Sequence, residues 1–348
     1  KLGAMCFLMV ETLRGSMQKS NHDTLSEAPD ESTSDILVMG ETLIDFIPDR
    51  PGTLSTVETF HRRAGGAPAN VAVRLAELDL SPWFWTRIGD DEFGSFLHQT
   101  LTDNGLTDRF MIRDDTRSTA LAFVSHDHDA DRQFNFYRTK TADIKFDEMT
   151  IPDSILRDVS WVIFGGICLS DDSARAAMFD VAERAQENDC TVIFDPNARP
   201  ELWDSPDEFA RVCRDACNIA DIVKATPEDL TAAEFDYNDT TCLLDALVDL
   251  GPHTVFITRG KTGAVARATD DAPWGVAEVA HEGYSVNVVD TTGAGDAFLA
   301  GAVCGLIDEC TLSETLSFAN ATAAITTTKQ GAIDASVSRK AIEQIRTN

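Results

Sequence analysis

The chain has 348 residues, 43% of them hydrophobic, enough to bury the core of one large α/β domain and carry a smaller attachment. Its 58 acidic and 29 basic residues leave a formal net charge of -29, which argues against nucleic acid and anionic membrane surfaces as partners. Such an acid excess reads as the surface of a protein from a halophile's cytoplasm, where salt screens the self-repulsion.

In chain order, residues 1–34 come first and are polar apart from Ala4 to Val10. That apolar run is too short to span a bilayer and precedes no cleavage site, so residues 1–34 read as a disordered extension or an artificially added segment. Ile36 to Met39 form an apolar run that stops at Gly40, as a buried first strand does. Residues 46–63, and later 118–138 with alternating Ala120, Ala122, Val124, Phe134 and Phe136, read as antiparallel hairpins forming a small β lid. Asn70 to Leu78 carries a helical pattern. The cluster His126-Asp127-His128-Asp129 falls at a predicted hairpin tip, where a solvated turn competes with a metal site.

Further apolar runs follow at Trp161 to Phe164, Thr191 to Phe194, Ile222 with Val223, and Val255 to Thr258, and each meets a glycine or a polar residue. Helical patterns at Ser173 to Glu187 and Pro206 to Ala220 separate them. Strands alternating with helices imply a mostly parallel sheet covered on both faces, with ligands beyond the carboxyl ends of the strands. The eight cysteines, Cys6, Cys168, Cys190, Cys213, Cys217, Cys242, Cys304 and Cys310, form no Cys-x-x-Cys pair. Reduced thiols in a cytoplasmic protein fit this spacing best.

Near the end, Tyr284, Val286, Val288 and Val289 read as a strand ending in Asp290, and an apolar helix runs on from Ala297 through Leu306. Between them stand Gly293-Ala294-Gly295 and then Asp296. Small residues let successive N–H groups converge, and a helix N-terminus adds partial positive charge, so the turn suits an anion. A carboxylate beside it can take the proton of an attacking hydroxyl, which points to phosphoryl transfer from a nucleotide to an alcohol. Glycine-rich bends also serve plain loop closure; strand and helix on either side favour the anion hole.

Arg63-Ala64-Gly65-Gly66-Ala67-Pro68-Ala69-Asn70-Val71-Ala72, together with Asp290 to Asp296, resembles the two signatures of the ribokinase or pfkB sugar-kinase family. Further matches fall in family order at Gly40 to Asp45, Ile88 to Gly94, Asp195 to Arg199 and Thr258 to Gly263, and the tail Ala324 to Ile333 resembles the fructokinase branch. The resemblance implies one domain over residues 35–348, a ribokinase-like three-layer αβα fold with a mostly parallel central sheet and a β lid. It also implies a carbohydrate kinase using ATP and Mg2+, with K+ as a further activator, and a homodimer formed through the lid.

Its site residues carry over by position. Asp45, read as the end of the first strand, can accept bonds from vicinal hydroxyls; Gly65 and Gly66 let a sugar approach the backbone, and Asn70 offers a donor and an acceptor. Singly, Asn70 also fits a packed helix residue and Asp45 a turn. Phe136, Arg138 and Arg199 resemble positions near the sugar, although Arg138 also fits a solvated lid residue. Thr258, Gly260, Gly263 and Asn320 resemble nucleotide contacts. Asp290 and Thr292, with carbonyls near Ala324 and Gly331, resemble a monovalent-cation site.

Where the family has Asn-x-x-Glu, this chain reads Thr226-Pro227-Glu228-Asp229. Glu228 and Asp229 are therefore the candidates to organise magnesium through water, and Lys224 is either a phosphate ligand or a surface lysine. Gly260-Lys261-Thr262 lacks the upstream glycine of a P-loop, and no strand leads into G-x-G-x-x-G. Phe136 cannot bond an acid sugar as a tyrosine does, so D-fructose, phosphorylated on its primary hydroxyl, is the expected substrate. The alternatives left open are 2-keto-3-deoxygluconate kinase, then ribokinase or nucleoside kinase, and, from another class, a sugar sensor that has lost catalysis.

Overall fold

A computed structural model of the chain describes residues 34–126, 132–235 and 239–347. The N-terminal extension to residue 33 and Asp127 to Asp129 of the histidine cluster lie outside the described residues. The strands are β1 (Ile36–Met39), β2 (Leu43–Pro48), β3 (Phe60–Gly65), β4 (Trp83–Gly89), β5 (Met111–Asp114), β6 (Leu121–His126), β7 (Arg132–Tyr137), β8 (Trp161–Gly165), β9 (Thr191–Asp195), β10 (Ile222–Ala225), β11 (Thr254–Thr258), β12 (Ala264–Ala268) and β13 (Ala277–His281). The α-helices are α1 (Ala67–Glu77), α2 (Glu92–Asp103), α3 (Asp153–Leu156), α4 (Asp172–Glu187), α5 (Pro206–Ile219), α6 (Pro227–Ala232), α7 (Thr240–Val248), α8 (Ala294–Ile307), α9 (Leu312–Thr326) and α10 (Arg339–Arg346).

Nine strands form the larger sheet in the order β13-β12-β11-β10-β9-β8-β1-β4-β5. Pairing is parallel from β11 to β5, and β12 and β13 are added antiparallel. β1 shows why: all its residues are buried, as a strand covered on both faces requires. Leu37 and Met39 join one core with residues of α4 and α5, while Ile36 and Val38 join the other with residues of α1, α8 and α9. From β1 the chain goes to β4 on one side and returns to β8 on the other, so the strand order reverses there. A crevice opens at such a reversal, beyond the carboxyl ends of the strands.

The second sheet has the order β3-β2-β6-β7 and is the expected lid. Its hairpins β2–β3 and β6–β7 are antiparallel, and β2 pairs with β6 in parallel. One expectation needs correction here. Asp45 does not end the first strand: β1 stops at Met39, Gly40 takes a φ of 148°, and the chain re-enters as β2 with Asp45 inside the lid sheet.

A second correction concerns Tyr284 to Val289, which pair with no strand; β13 already ends at His281. Val288 and Val289 are 57% and 59% exposed, and the N–H groups of Val289 and Asp290 both donate to the Thr327 carbonyl at the end of α9. Alternating valines imitate a strand, but no neighbouring edge is there to pair with them.

Candidate active site

Helix α8 starts at the glycine turn. Gly293 is its N-cap with φ 75°, and a Cβ there would meet the Ala332 Cβ at 2.6 Å, so only glycine fits. Asp296 lies in the first turn of this buried, apolar helix and is 9% exposed. Helix α1 starts in a similar way: Gly66 caps it with φ 105°, a Cβ there would press to 2.5 Å from the Glu41 carbonyl, and Pro68 follows in the first turn. That start presents Asn70, whose Nδ2 donates to Asp296 Oδ2 at 2.8 Å across 226 positions of sequence. Gly65 gives Asp45 its room, since a side chain there would overlap the Asp45 carboxylate.

These groups face one cavity of about 480 Å3 between the two sheets. Of the residues expected at the site, Asp45, Gly66, Asn70, Phe136, Arg199, Lys224, Glu228, Asp229, Thr292, Gly293, Gly295 and Asp296 line it. Lys224 is no surface lysine: it is 3% exposed and donates from Nζ to Asp195 Oδ2 at 2.9 Å. Burial works against its charge, yet Asp195, Asp229 and Asp296 outweigh burial and raise its pKa, so the ammonium persists. A Cβ on Gly295 would come 2.9 Å from Lys224 Nζ, which places the cation on the anion turn itself. Arg199 donates to the carbonyls of Asn197 and Ala198 and lies 5.2 Å from the Phe134 ring centroid.

Burial dominates the carboxylates. It lifts Asp45 from 3.8 to about 7 against the pull of Arg199, with Asp296 and Glu41 pushing the same way. It also raises Asp296, opposed by the Asn70 bond, Lys224, Arg199 and Arg74. A base with raised pKa beside a cation and a helix N-terminus can take a proton and stabilise a transferred anion in one place.

Thr226 caps α6, with its N–H and Oγ1 both donating to Asp229 Oδ2 at 2.8 Å, and Asp229 Oδ1 accepts from the Ala198 N–H at 2.7 Å. Both Asp229 oxygens are thus engaged by protein groups, whereas Glu228 stands exposed at the cavity wall. Asp290 Oδ1 accepts from the N–H and Oγ1 of Thr292 at 2.9 and 2.7 Å, and Oδ2 from the Gly331 N–H at 3.0 Å, fastening the turn from below.

The other expected residues lie off the cavity lining. Arg138 is 7% exposed and ion-pairs with Asp143 while donating to the Ile167 carbonyl at 2.9 Å, which removes the solvated-lid alternative. Thr258, Gly260 and Gly263 sit at the β11–β12 turn, and Asn320 donates to the Leu316 carbonyl at 2.7 Å within α9. Ala294 is the first residue of α8. Sequence reasoning missed Glu41: it is fully buried, lines the cavity, and accepts from the Ala67 N–H at 3.2 Å and from Cys168 Sγ at 3.3 Å. The only signal was its place within the family match from Gly40 to Asp45.

Two signatures converging on one cavity, with Asn70 bonded to Asp296, agree with a sequence profile. The profile, described as pfkB family carbohydrate kinase, matches residues 33–339. The chain belongs to the pfkB family of carbohydrate kinases.

Among pfkB relatives, "Probable fructokinase-6, chloroplastic" of Arabidopsis thaliana is 34% identical over 345 residues, covering 95% of this chain and 88% of its own. The crystal structure of a fructokinase with bound ATP from Xylella fastidiosa has a TM-score of 0.79 and 29% identity, covering 90% of this chain and 98% of that one. A fructokinase double mutant from Vibrio cholerae O395 in fructose, ADP and potassium ion bound form has a TM-score of 0.76 and 28% identity, covering 90% and 99%. The likeness extends over the large sheet and the lid alike, which is the three-layer ribokinase-like fold expected from sequence.

Proposed function

We propose that this protein is an ATP-dependent fructokinase converting D-fructose to fructose 6-phosphate. The observation that carries the reading is the 2.8 Å bond from Asn70 to Asp296 at a cavity that also holds Asp45 and the Gly293 turn. In this reading Asp45 and Asn70 hold the sugar hydroxyls, with Gly66, Phe136 and Arg199 shaping the wall. Asp296 takes the proton of the primary hydroxyl as its oxygen attacks the γ-phosphorus of ATP and the bond to ADP breaks. Backbone N–H groups of Gly293, Ala294 and Gly295, with the Lys224 ammonium, hold the charge that migrates. Thr258, Gly260, Gly263 and Asn320 belong to the nucleotide side, and Arg138 supports the sugar wall through the Ile167 carbonyl.

Magnesium fits this donor set in one respect: Glu228 offers a carboxylate at the wall, whereas Asp229 is committed to Thr226 and Ala198. Bound with ATP, the ion would neutralise phosphate charge, and Glu228 is the residue that would hold it. Potassium binding at Asp290 and Thr292 is part of the proposal; both Asp290 carboxylate oxygens already accept from Thr292 and Gly331, so an ion there would share them with those donors. Absence of the acid-sugar bond at Phe136 favours a neutral ketose. The protein works in a cytoplasm as a homodimer joined through the lid, over a kinase domain of residues 35–348.

Release of ADP, coupled to a reporter enzyme and followed with fructose, ribose, 2-keto-3-deoxygluconate and adenosine in molar potassium chloride, tests the reading. Fructose should give the highest kcat/KM. Turnover confined to another acceptor would replace fructose, and none with any would leave a sugar-binding protein.

A further inference from the structure

Arg74 sits one helical turn beyond Asn70 on α1, so the two side chains share a face. An arginine that is only 1% exposed must be fully paired, and this one is. Its guanidinium meets Glu77 and donates from Nη1 to the Ala335 carbonyl and from Nη2 to the Ala332 carbonyl, each at 2.6 Å. Ala332 is the residue that packs against Gly293, and the neighbouring Gly331 N–H is the one bonded to Asp290. Loop 331–335 therefore touches the anion-hole turn on one side and the sugar helix on the other. Arg63 of β3 adds an exposed ion pair to Asp334 of the same loop.

We propose that Arg74 is a positioning residue for phosphoryl transfer: it locks the helix that carries Asn70 to the loop that supports the Gly293–Gly295 turn. The proposal rests on the kinase reading above. Arg74 is not among the residues lining the cavity; it fixes how far the base and the turn stand from the sugar, and its charge bears on Asp296. The groups facing Asp296 are Asn70 and Arg74 from α1, Lys224 from β10 and Arg199 after β9, with Asp45 of β2 and Asp195 of β9 opposing them. Among the cations named there, Arg74 is the one bonded to the loop that packs against Gly293.

The planar fork that spans two carbonyls cannot be reproduced by a lysine, which keeps the charge and loses the geometry. The test is steady-state kinetics of Arg74→Lys and of the double variant Arg74→Met with Glu77→Gln, which strands no buried carboxylate. Both are measured against fructose and ATP across pH, with wild type alongside. Both variants should lose about 10- to 100-fold in kcat with the sugar KM changed by no more than about threefold, since misplacement acts on the transition state. The acid limb of the kcat profile should move to higher pH in the Met/Gln variant and stay in place in the Lys variant. If the Met/Gln variant shows no cooperative melt, the Lys variant decides alone by its kcat. Wild-type kcat in the Lys variant overturns the proposal, as does a raised sugar KM with an unmoved limb in the Met/Gln variant. A wild type without turnover on any sugar strikes the kinase reading instead.

Discussion

Asp296 carries an amide donor on one oxygen and loses most of its water to burial, so the proton it would accept is favoured by its surroundings before any substrate arrives. Asp296→Asn keeps the shape and removes the basicity. Turnover should fall about 10^2- to 10^4-fold while calorimetry still registers sugar and nucleotide binding; turnover at the wild-type level would remove Asp296 from the reaction. Glu41 makes a different case. Burial, opposed by Arg138, lifts it from 4.5 to about 7, so the folded state holds its proton more tightly than the unfolded state. Its contribution to stability is complete below pH 4.5 and is lost as pH rises through about 7. Glu41→Gln should therefore melt higher than wild type at pH 8, by an upper bound of about 3 kcal/mol, with the difference vanishing near pH 4.5. Equal melting temperatures at pH 8 would show that Glu41 is not buried as a charge. Asp45 and Asn70 were legible through the family resemblance of the motifs that hold them, since singly each also fits a turn or a packed helix. Glu41 was not, since a lone glutamate between two apolar runs looks like any surface acid until both runs are seen to bury it.

At the level of elements, two helix starts build the candidate site. α1 and α8 each begin at a glycine with positive φ, and those starts meet at the Asn70–Asp296 bond. Gly293→Ala adds a methyl that collides with Ala332 and forces a left-handed alanine, costing roughly 1–2 kcal/mol in the turn. Its kcat should drop about 10^2-fold or more with sugar affinity retained, as measured by turnover and calorimetry side by side; an unaltered kcat would show that the turn holds no migrating charge. The parallel strands were readable as short apolar runs, because burial on both faces leaves no polar alternation. Alternation misled at Tyr284 to Val289, where Val288 and Val289 are exposed next to the turn and lie in no strand. Asp45 was placed on the wrong strand because a bend of three residues, Gly40 to Thr42, separates two sheets and has no periodicity of its own.

Over the whole molecule the acid excess predicts a salt requirement for folding. A net charge of -29 repels itself at low ionic strength, and ions within a Debye length relieve that repulsion. Helicity followed by circular dichroism should be lost on dialysis into dilute buffer and regained in molar potassium chloride; full helicity without salt would contradict a halophilic origin. Among the described residues no helix is long and apolar enough to cross a membrane. Lid and core were both visible in the sequence as alternating and continuous apolar patterns; their meeting at residues 45, 70 and 296 came from the resemblance, since a bond across 226 positions leaves no local trace.

The cavity draws its walls from separate sources: Leu43, Asp45, Phe134 and Phe136 come from the lid sheet, whereas Lys224 comes from β10 of the large sheet and Gly293, Gly295 and Asp296 from the start of helix α8. Changes of acceptor preference can therefore accumulate on one scaffold without disturbing the reaction apparatus on the other. A designer seeking a different sugar would graft strands β2 and β7 and leave helix α8 alone.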